Sequence, residues 1–136
     1  KGKQVYTTQC MSCHGANGEG QLTPDKTEYA YPPLWGANSY NDGAGLYRIS
    51  SFAGYVKNNM PNLIASHKNP ALTTEECWDV AAYVNSQPRP HKNQNSDWPV
   101  VKNKPIDFPF APYADDFSET QHKYGPFAPI QEGNKK

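Results

Sequence analysis

Residues Cys10-Met11-Ser12-Cys13-His14 put two thiols and an imidazole into five consecutive positions, and this contiguity constrains the fold more than any other feature of the chain. Cys10 and Cys13 are too close to staple distant segments. With Cys77 the count is odd, so three cysteines cannot build a paired disulfide framework. The chain nevertheless needs help with its core. Its 136 residues suit one domain, but only 36% are hydrophobic. Even with Gly counted in place of Tyr, that lies well under the roughly 45–50% of an ordinary domain. A bound group that supplies buried apolar surface is the expectation.

The charge balance narrows the partners. Thirteen Lys+Arg offset 13 Asp+Glu, so no basic surface is on offer to nucleic acid or an anionic membrane. No apolar run approaches the ~18 residues of a membrane span. The opening Lys1-Gly2-Lys3-Gln4-Val5-Tyr6 also lacks the apolar stretch of a signal peptide. These features predict a soluble chain, either mature or excised from something longer.

Composition divides the chain into residues 1–87 and 88–136, with eight of the 13 prolines in the second part. From Val5 a short helix leads into the Cys10–His14 run, and Gly15, Gly18 and Gly20 then mark a loop. An irregular stretch is expected to Gly45. Leu46, Ile49, Ala53 and Val56 recur at helical spacing, and Pro61 predicts that this helix stops near Asn58-Asn59-Met60. The clearest helix runs from Thr74 to about Gln87. Thr73 and Glu76 match a capping box, and Leu72 and Cys77 occupy the positions of a hydrophobic staple. Past Pro88 neither helix nor strand is expected, because Pro99, Pro105, Pro109, Pro112, Pro126 and Pro129 would interrupt both. Trp98, Phe108, Phe110, Tyr113, Phe117, Tyr124 and Phe127 are too aromatic for a disordered tail. They predict an ordered strap wrapping the first part.

Cys-x-x-Cys-His is the attachment sequence for c-type haem: the two thiols add to the vinyl groups and the adjacent histidine binds iron. A thiol redox motif would need a thioredoxin-like β/α pattern, which is absent from the sequence, and a zinc site would need a second ligand pair. Cys77 with His67 is too ragged for that pair. One haem c, held covalently through Cys10 and Cys13, is therefore expected, with His14 on the iron.

A thioether sulfur suits the sixth position of an electron-transfer haem. Met11 lies between the attachment cysteines and points away, whereas Met60 sits in a loop far enough downstream to cover the other face. Lys57 and His67 are the alternatives. Pro32-Pro33-Leu34-Trp35-Gly36 is a rigid segment suited to offer the Pro32 carbonyl to His14 and to lay Leu34 on the haem. Arg48 and Lys57, with Tyr40, Tyr47 and Asn59, are candidates to hold the propionates, although a solvated helix face explains Arg48 equally well.

Gly2 and Tyr6 before Cys10, the Pro-x-Leu-x-Gly segment, Met60-Pro61 and Ala82-Tyr83-Val84 resemble a class I cytochrome c. The resemblance implies that the first and last helices cross through Gly2, Tyr6 and Tyr83. A narrower match covers nearly the whole chain. Tyr31-Pro32-Pro33-Leu34-Trp35-Gly36, Ser39-Tyr40-Asn41, Gly43-Ala44-Gly45, Asn59-Met60-Pro61, Asp79–Asn85, Gln87-Pro88-Arg89-Pro90 and Gln121–Phe127 resemble the C-terminal haem domain of dihaem thiosulfate dehydrogenases. That family joins two thiosulfates into tetrathionate in the periplasm. Its catalytic haem lies in an N-terminal domain with a cysteine axial ligand, and its C-terminal His/Met haem passes electrons on. This implies that the catalytic half lies outside the present chain. Cys77 is a conceivable substitute ligand, but its staple position favours a small buried residue. Beside the methionine, where a lysine would offer a second ligand, this chain has Asn59.

The expectation is thus an all-α class I cytochrome c fold, with residues 1–87 as the haem domain and 88–136 as its extension. Its function would be one-electron transfer through a His14/Met60 haem, in an exported protein whose partner is a redox protein or a second haem domain. The rivals are thiosulfate oxidation by the chain itself and a ligand sensor with an open sixth position.

Overall fold

The computed structural model describes residues 1–94 and 97–135, so positions 95, 96 and 136 of the extension lie outside the described residues. Helix α1 spans Gly2–Gln9 and α2 spans Met11–His14, with Cys10 between them. A two-stranded antiparallel ribbon, β1 (Gln21–Leu22) with β2 (Tyr29–Tyr31), interrupts the stretch expected to be irregular. Gly45–Tyr47 forms a 3-10 turn before α3 (Ile49–Asn59), and α4 spans Thr74–Asn85.

The helix ends follow the sequence signals closely. Thr73 Oγ1 accepts from the Glu76 amide at 3.1 Å, and the Glu76 carboxylate accepts from the Thr73 amide at 3.0 Å. This reciprocal pair satisfies two donors that a helix start leaves over. Leu72 and Cys77 of the staple are both buried. Helix α3 ends at Asn59, and Met60 is its cap residue, whose amide donates back to the Val56 carbonyl at 2.9 Å.

The core lies where α4 packs against both α1 and α3. Val5 and Tyr6 of α1, Phe52, Ala53 and Val56 of α3, and Cys77, Val80, Ala81 and Val84 of α4 meet there with Trp35. Gly2 is required at the α1–α4 crossing, because an added Cβ would collide with the Asp79 carbonyl and the Tyr83 Cβ. The close approach lets Tyr6, Trp35 and Tyr83 pack ring on ring, with centroids 5.0, 5.6 and 5.8 Å apart. Such tilted and edge-on arrangements suit the quadrupoles of aromatic rings.

The extension departs from expectation in containing two helices, α5 (Glu119–Tyr124) and α6 (Ala128–Asn134). Pro129 does not interrupt α6 because it falls within the first turn, where the missing N–H would have had no helical partner. Ser118 caps α5 by accepting from the Gln121 amide at 3.1 Å. Helix α6 buries Ile130 completely. The extension also reaches back to the first part of the chain: the Gly36 amide donates to the Pro88 carbonyl at 2.7 Å and the Asp42 amide to the Pro90 carbonyl at 2.9 Å. Trp78 on α4 packs against Phe127 with centroids 6.0 Å apart.

Candidate functional site

Helix α2 is one turn long, and that turn sets out the attachment residues. The Cys13 and His14 amides both donate to the Cys10 carbonyl, at 3.2 and 2.9 Å. All three thiols are free, Cys10 and Cys13 half-buried and Cys77 buried. Burial, reinforced by the neighbouring Cys13 and Cys77 thiols, pushes Cys10 up to about 11.

His14 is only 8% exposed, and its Nδ1 lies 2.8 Å from the Pro32 carbonyl oxygen. A carbonyl only accepts, so Nδ1 carries the proton and donates. The lone pair for a metal is then on Nε2. The glycine loop holds this arrangement together. The Leu34 amide donates to the Gly18 carbonyl at 2.8 Å, and the Gly20 amide to the His14 carbonyl at 2.8 Å. Gly18 adopts φ +60°, and a Cβ there would strike the Trp35 ring, so a side chain at this position would push away the segment carrying Pro32. Tyr6, 1% exposed, reaches the same loop by donating its hydroxyl to the Gly15 carbonyl at 2.6 Å.

Cys10, Leu34, Tyr40 and Met60 all pack, half-buried, against the one core cluster. Residues named from the sequence for attachment, haem contact and distal ligation thus border the same core cluster. The thiol pair, the oriented imidazole and the thioether form a donor set that fits haem c. Met11 is exposed. His67 Nδ1 lies 3.1 Å from the Asn58 amide oxygen, and Lys57 donates to Thr74 Oγ1 at 2.8 Å. Among the described residues no three His, Cys, Asp or Glu side chains converge as a metal-binding set.

The candidates for the propionates separate. Arg48 is engaged by the extension: its Nε and Nη2 each lie 2.7 Å from Asp107 Oδ1. Asp107 also accepts from the amide of Ser50, at 3.2 Å, and from its hydroxyl. Arg48 is therefore part of a clamp between the extension and the start of α3. Asn59 bonds back to the Tyr55 carbonyl at 3.0 Å, and the Tyr47 hydroxyl accepts from Lys123 at 2.6 Å. Tyr40 differs from these, since its hydroxyl is buried without a hydrogen-bond partner among the described residues. Beside it lies Arg89, whose guanidinium carbon is 4.4 Å from the Tyr40 ring centroid. Sequence reasoning did not single out Arg89. Its only signal was an arginine in a Pro-Arg-Pro segment, and the fold alone brings that segment to Tyr40.

Cys77 is 1% exposed, and burial pushes its thiol up. It fills the α4 side of the core as a small apolar residue.

Comparison with known proteins agrees with this geometry. The cytochrome c family model matches residues 1–88. The thiosulfate dehydrogenase of Stutzerimonas stutzeri is 41% identical over 104 residues, which is 76% of this chain and 32% of that protein. The thiosulfate dehydrogenase of Allochromatium vinosum is 44% identical over 89 residues, 65% of this chain and 31% of that one. The solved structure of thiosulfate dehydrogenase TsdBA from Marichromatium purpuratum, in its as-isolated form, superposes with a TM-score of 0.60 at 35% identity. That match covers 93% of this chain and 22% of the other. The chain thus spans about a third of the length of the curated relatives it matches. With its helical core, its Cys10-x-x-Cys13-His14 turn and this match over residues 1–88, the chain belongs to the cytochrome c family, with a class I fold and a site for one covalent haem c.

Proposed function

We propose that this chain is a one-electron relay in thiosulfate oxidation, with haem c attached at Cys10 and Cys13 and ligated by His14 and Met60. The observation that carries the reading is the His14 Nδ1 to Pro32 carbonyl hydrogen bond, which leaves Nε2 as the ligating nitrogen. The bound haem supplies a one-electron iron couple that a His/Met pair keeps at a raised potential. The chain's own residues keep the reorganisation small. The Pro32 carbonyl orients the imidazole, Gly18 holds the segment that follows Pro32 through the Leu34 amide, Gly20 ties the loop to the His14 carbonyl, and the end of α3 fixes the backbone at Met60. No proton or bond need change at these side chains when an electron arrives or leaves.

The relay works inside, or against, a longer protein. The relatives are about three times as long as the matched stretch, and their name supplies the reaction. The catalytic haem then lies in a second domain or partner outside this chain, and this domain takes its electrons. Covalent haem c is attached outside the bacterial inner membrane, so the working compartment is the periplasm. No described helix is long and apolar enough to cross a membrane. Residues 1–87 act as the haem domain and 88–136 as its wrapping extension, which the Pro88, Pro90 and Asp107 contacts support.

The test uses the full chain matured with haem. The ferric protein should show the weak red-end band of methionine ligation. Met60→Ala should abolish that band and let the ferrous form bind CO. An unchanged band in that variant would remove Met60 from the iron. Thiosulfate and ferricyanide supplied to the same chain should give no turnover; tetrathionate formation would make it the enzyme rather than the relay.

A further inference from the structure

Arg89 is where the extension turns back onto the haem domain, and its guanidinium is only partly used. Nη2 donates to the Val84 carbonyl at the end of α4, at 3.0 Å. Among the described residues, Nε and Nη1 are shut off from solvent with no acceptor, and the Tyr40 hydroxyl is shut off with no hydrogen-bond partner. The planar cation lies between two aromatic rings, 4.4 Å from the centroid of Tyr40 and 5.1 Å from that of Tyr47. Buried N–H groups on a charged side chain are expensive to leave unpaired. Here two such donors and a phenol belong to neighbouring side chains.

The nearby charges do not answer them. Asp42 accepts from His91 at 2.7 Å and from the Lys92 amide at 2.8 Å. Asp107 is held by Arg48 and Ser50. Lys123 adds a second cation over the far ring, 4.8 Å from the Tyr47 centroid, and donates to its hydroxyl. At this end of α4 Ser86 and Gln87 donate to the Tyr83 carbonyl, and the Asn85 amide nitrogen donates to the Tyr47 carbonyl at 3.0 Å, while its Oδ1 is buried and meets no donor among the described residues, those of Arg89 included. The site is a buried, net-positive pair of donors, and the group that fits two N–H donors of a planar guanidinium is a carboxylate.

We propose that Arg89 and Tyr40 form a carboxylate-binding site that takes a propionate of the haem, so that the extension completes the cofactor site. This rests on the haem reading above, and it moves the propionate partner from Arg48 to a residue outside the 1–87 segment. Burial pushes the Tyr40 hydroxyl up, with Arg89 opposing; a phenol in that state donates at neutral pH. Arg89 would keep the propionate ionised and neutralised. The electron transferred at the iron would then not be coupled to a propionate proton.

The experiment measures midpoint potential against pH for the full haem-loaded chain and for Arg89→Gln, Arg89→Lys and Tyr40→Phe. Thr73→Ala serves as a control that weakens a remote helix cap. In the wild type the potential should be level through neutrality. In Arg89→Gln an inflection should appear, with the potential falling as pH rises, because the propionate now ionises without its counter-charge. The propionate acid constant should fall by about tenfold or more, equivalent to about one pH unit. Arg89→Lys should reverse most of this and Tyr40→Phe should reproduce a smaller part. A level profile in a loaded Arg89→Gln protein overturns the proposal, as does the same inflection in Thr73→Ala. If Arg89→Gln does not mature, a wild-type profile in both Tyr40→Phe and Arg89→Lys overturns it. The red-end band is read separately. Its absence from wild-type protein with attached haem defeats Met60 ligation alone, whereas failure of haem to attach to wild-type chain defeats both.

Discussion

Asp107 shows how a single residue from outside the haem segment fixes a haem-segment element. Its carboxylate is 3% exposed and takes hydrogen bonds from Arg48 and from the first turn of α3, where a negative group complements both the helix dipole and the unpaired amides. Met60 caps the opposite end of that helix. Asp107→Ala leaves the Arg48 cation and the Ser50 amide without an acceptor. Arg48 is one-third exposed, so water recovers part of the loss, and a destabilisation of about 2–3 kcal/mol is expected rather than the upper range for a buried pair. Denaturant unfolding of the haem-loaded protein followed by haem absorbance checks this; a change under about 0.5 kcal/mol, typical of surface substitutions, would count against the clamp. Cys77 was read from its staple position as buried and apolar, and its burial agrees.

At the scale of elements, the α1–α4 crossing depends on the absence of one side chain. Gly2 lies against the Asp79 carbonyl and Tyr83, and a methyl group there must spread the helices. Gly2→Ala should cost about 1–3 kcal/mol, the usual range for overpacking a filled site. The penalty should come with altered near-ultraviolet circular dichroism, because the Tyr6, Trp35 and Tyr83 rings share that crossing. Equal melting temperatures for the two proteins would show that the helix ends move apart freely. The elements most legible beforehand were those with local chemistry. The Thr73/Glu76 box and the halt at Met60-Pro61 depend on residues within a few positions of one another. Helices α5 and α6 went unread for the opposite reason. They are six and seven residues long, too short for a hydrophobic period to declare itself, and Ile130 and His122 are buried only through tertiary packing.

For the molecule as a whole, the extension is bound at several separate places: Pro88 and Pro90 to the 36–42 loop, Asp107 to α3, Lys123 to Tyr47 and Phe127 to Trp78. Limited proteolysis that removes the chain beyond Pro90 should lower the melting temperature of the haem-loaded protein. It should leave Arg89 in the fragment but unlock the Arg48–Asp107 clamp. A fragment as stable as the full chain, with an unaltered haem spectrum, would reduce the extension to an appendage. The thin core deduced from composition is relieved in two ways at this scale, by the apolar surface of a bound haem and by the aromatic side chains the extension lays down.

The sequence by itself determined the attachment turn, the helix that ends at Met60 and the family, because each is written in residues that are contiguous or regularly spaced, whereas the His14–Pro32 hydrogen bond joins positions 18 residues apart and needs the loop between them to fold. Tertiary structure alone decided which polar side chains remain available to an anion. From its position Arg48 suits a propionate and a solvated helix face equally well, yet Asp107, 59 residues later, engages it. Arg89 is marked in the sequence only by its Gln87-Pro88-Arg89-Pro90 segment, and the return of that segment onto the 36–42 loop sets it beside Tyr40 with only Nη2 paired among the described residues. Hydrogen-bond satisfaction is a property of everything folded around a group, so it becomes readable only once the distant partners are in place.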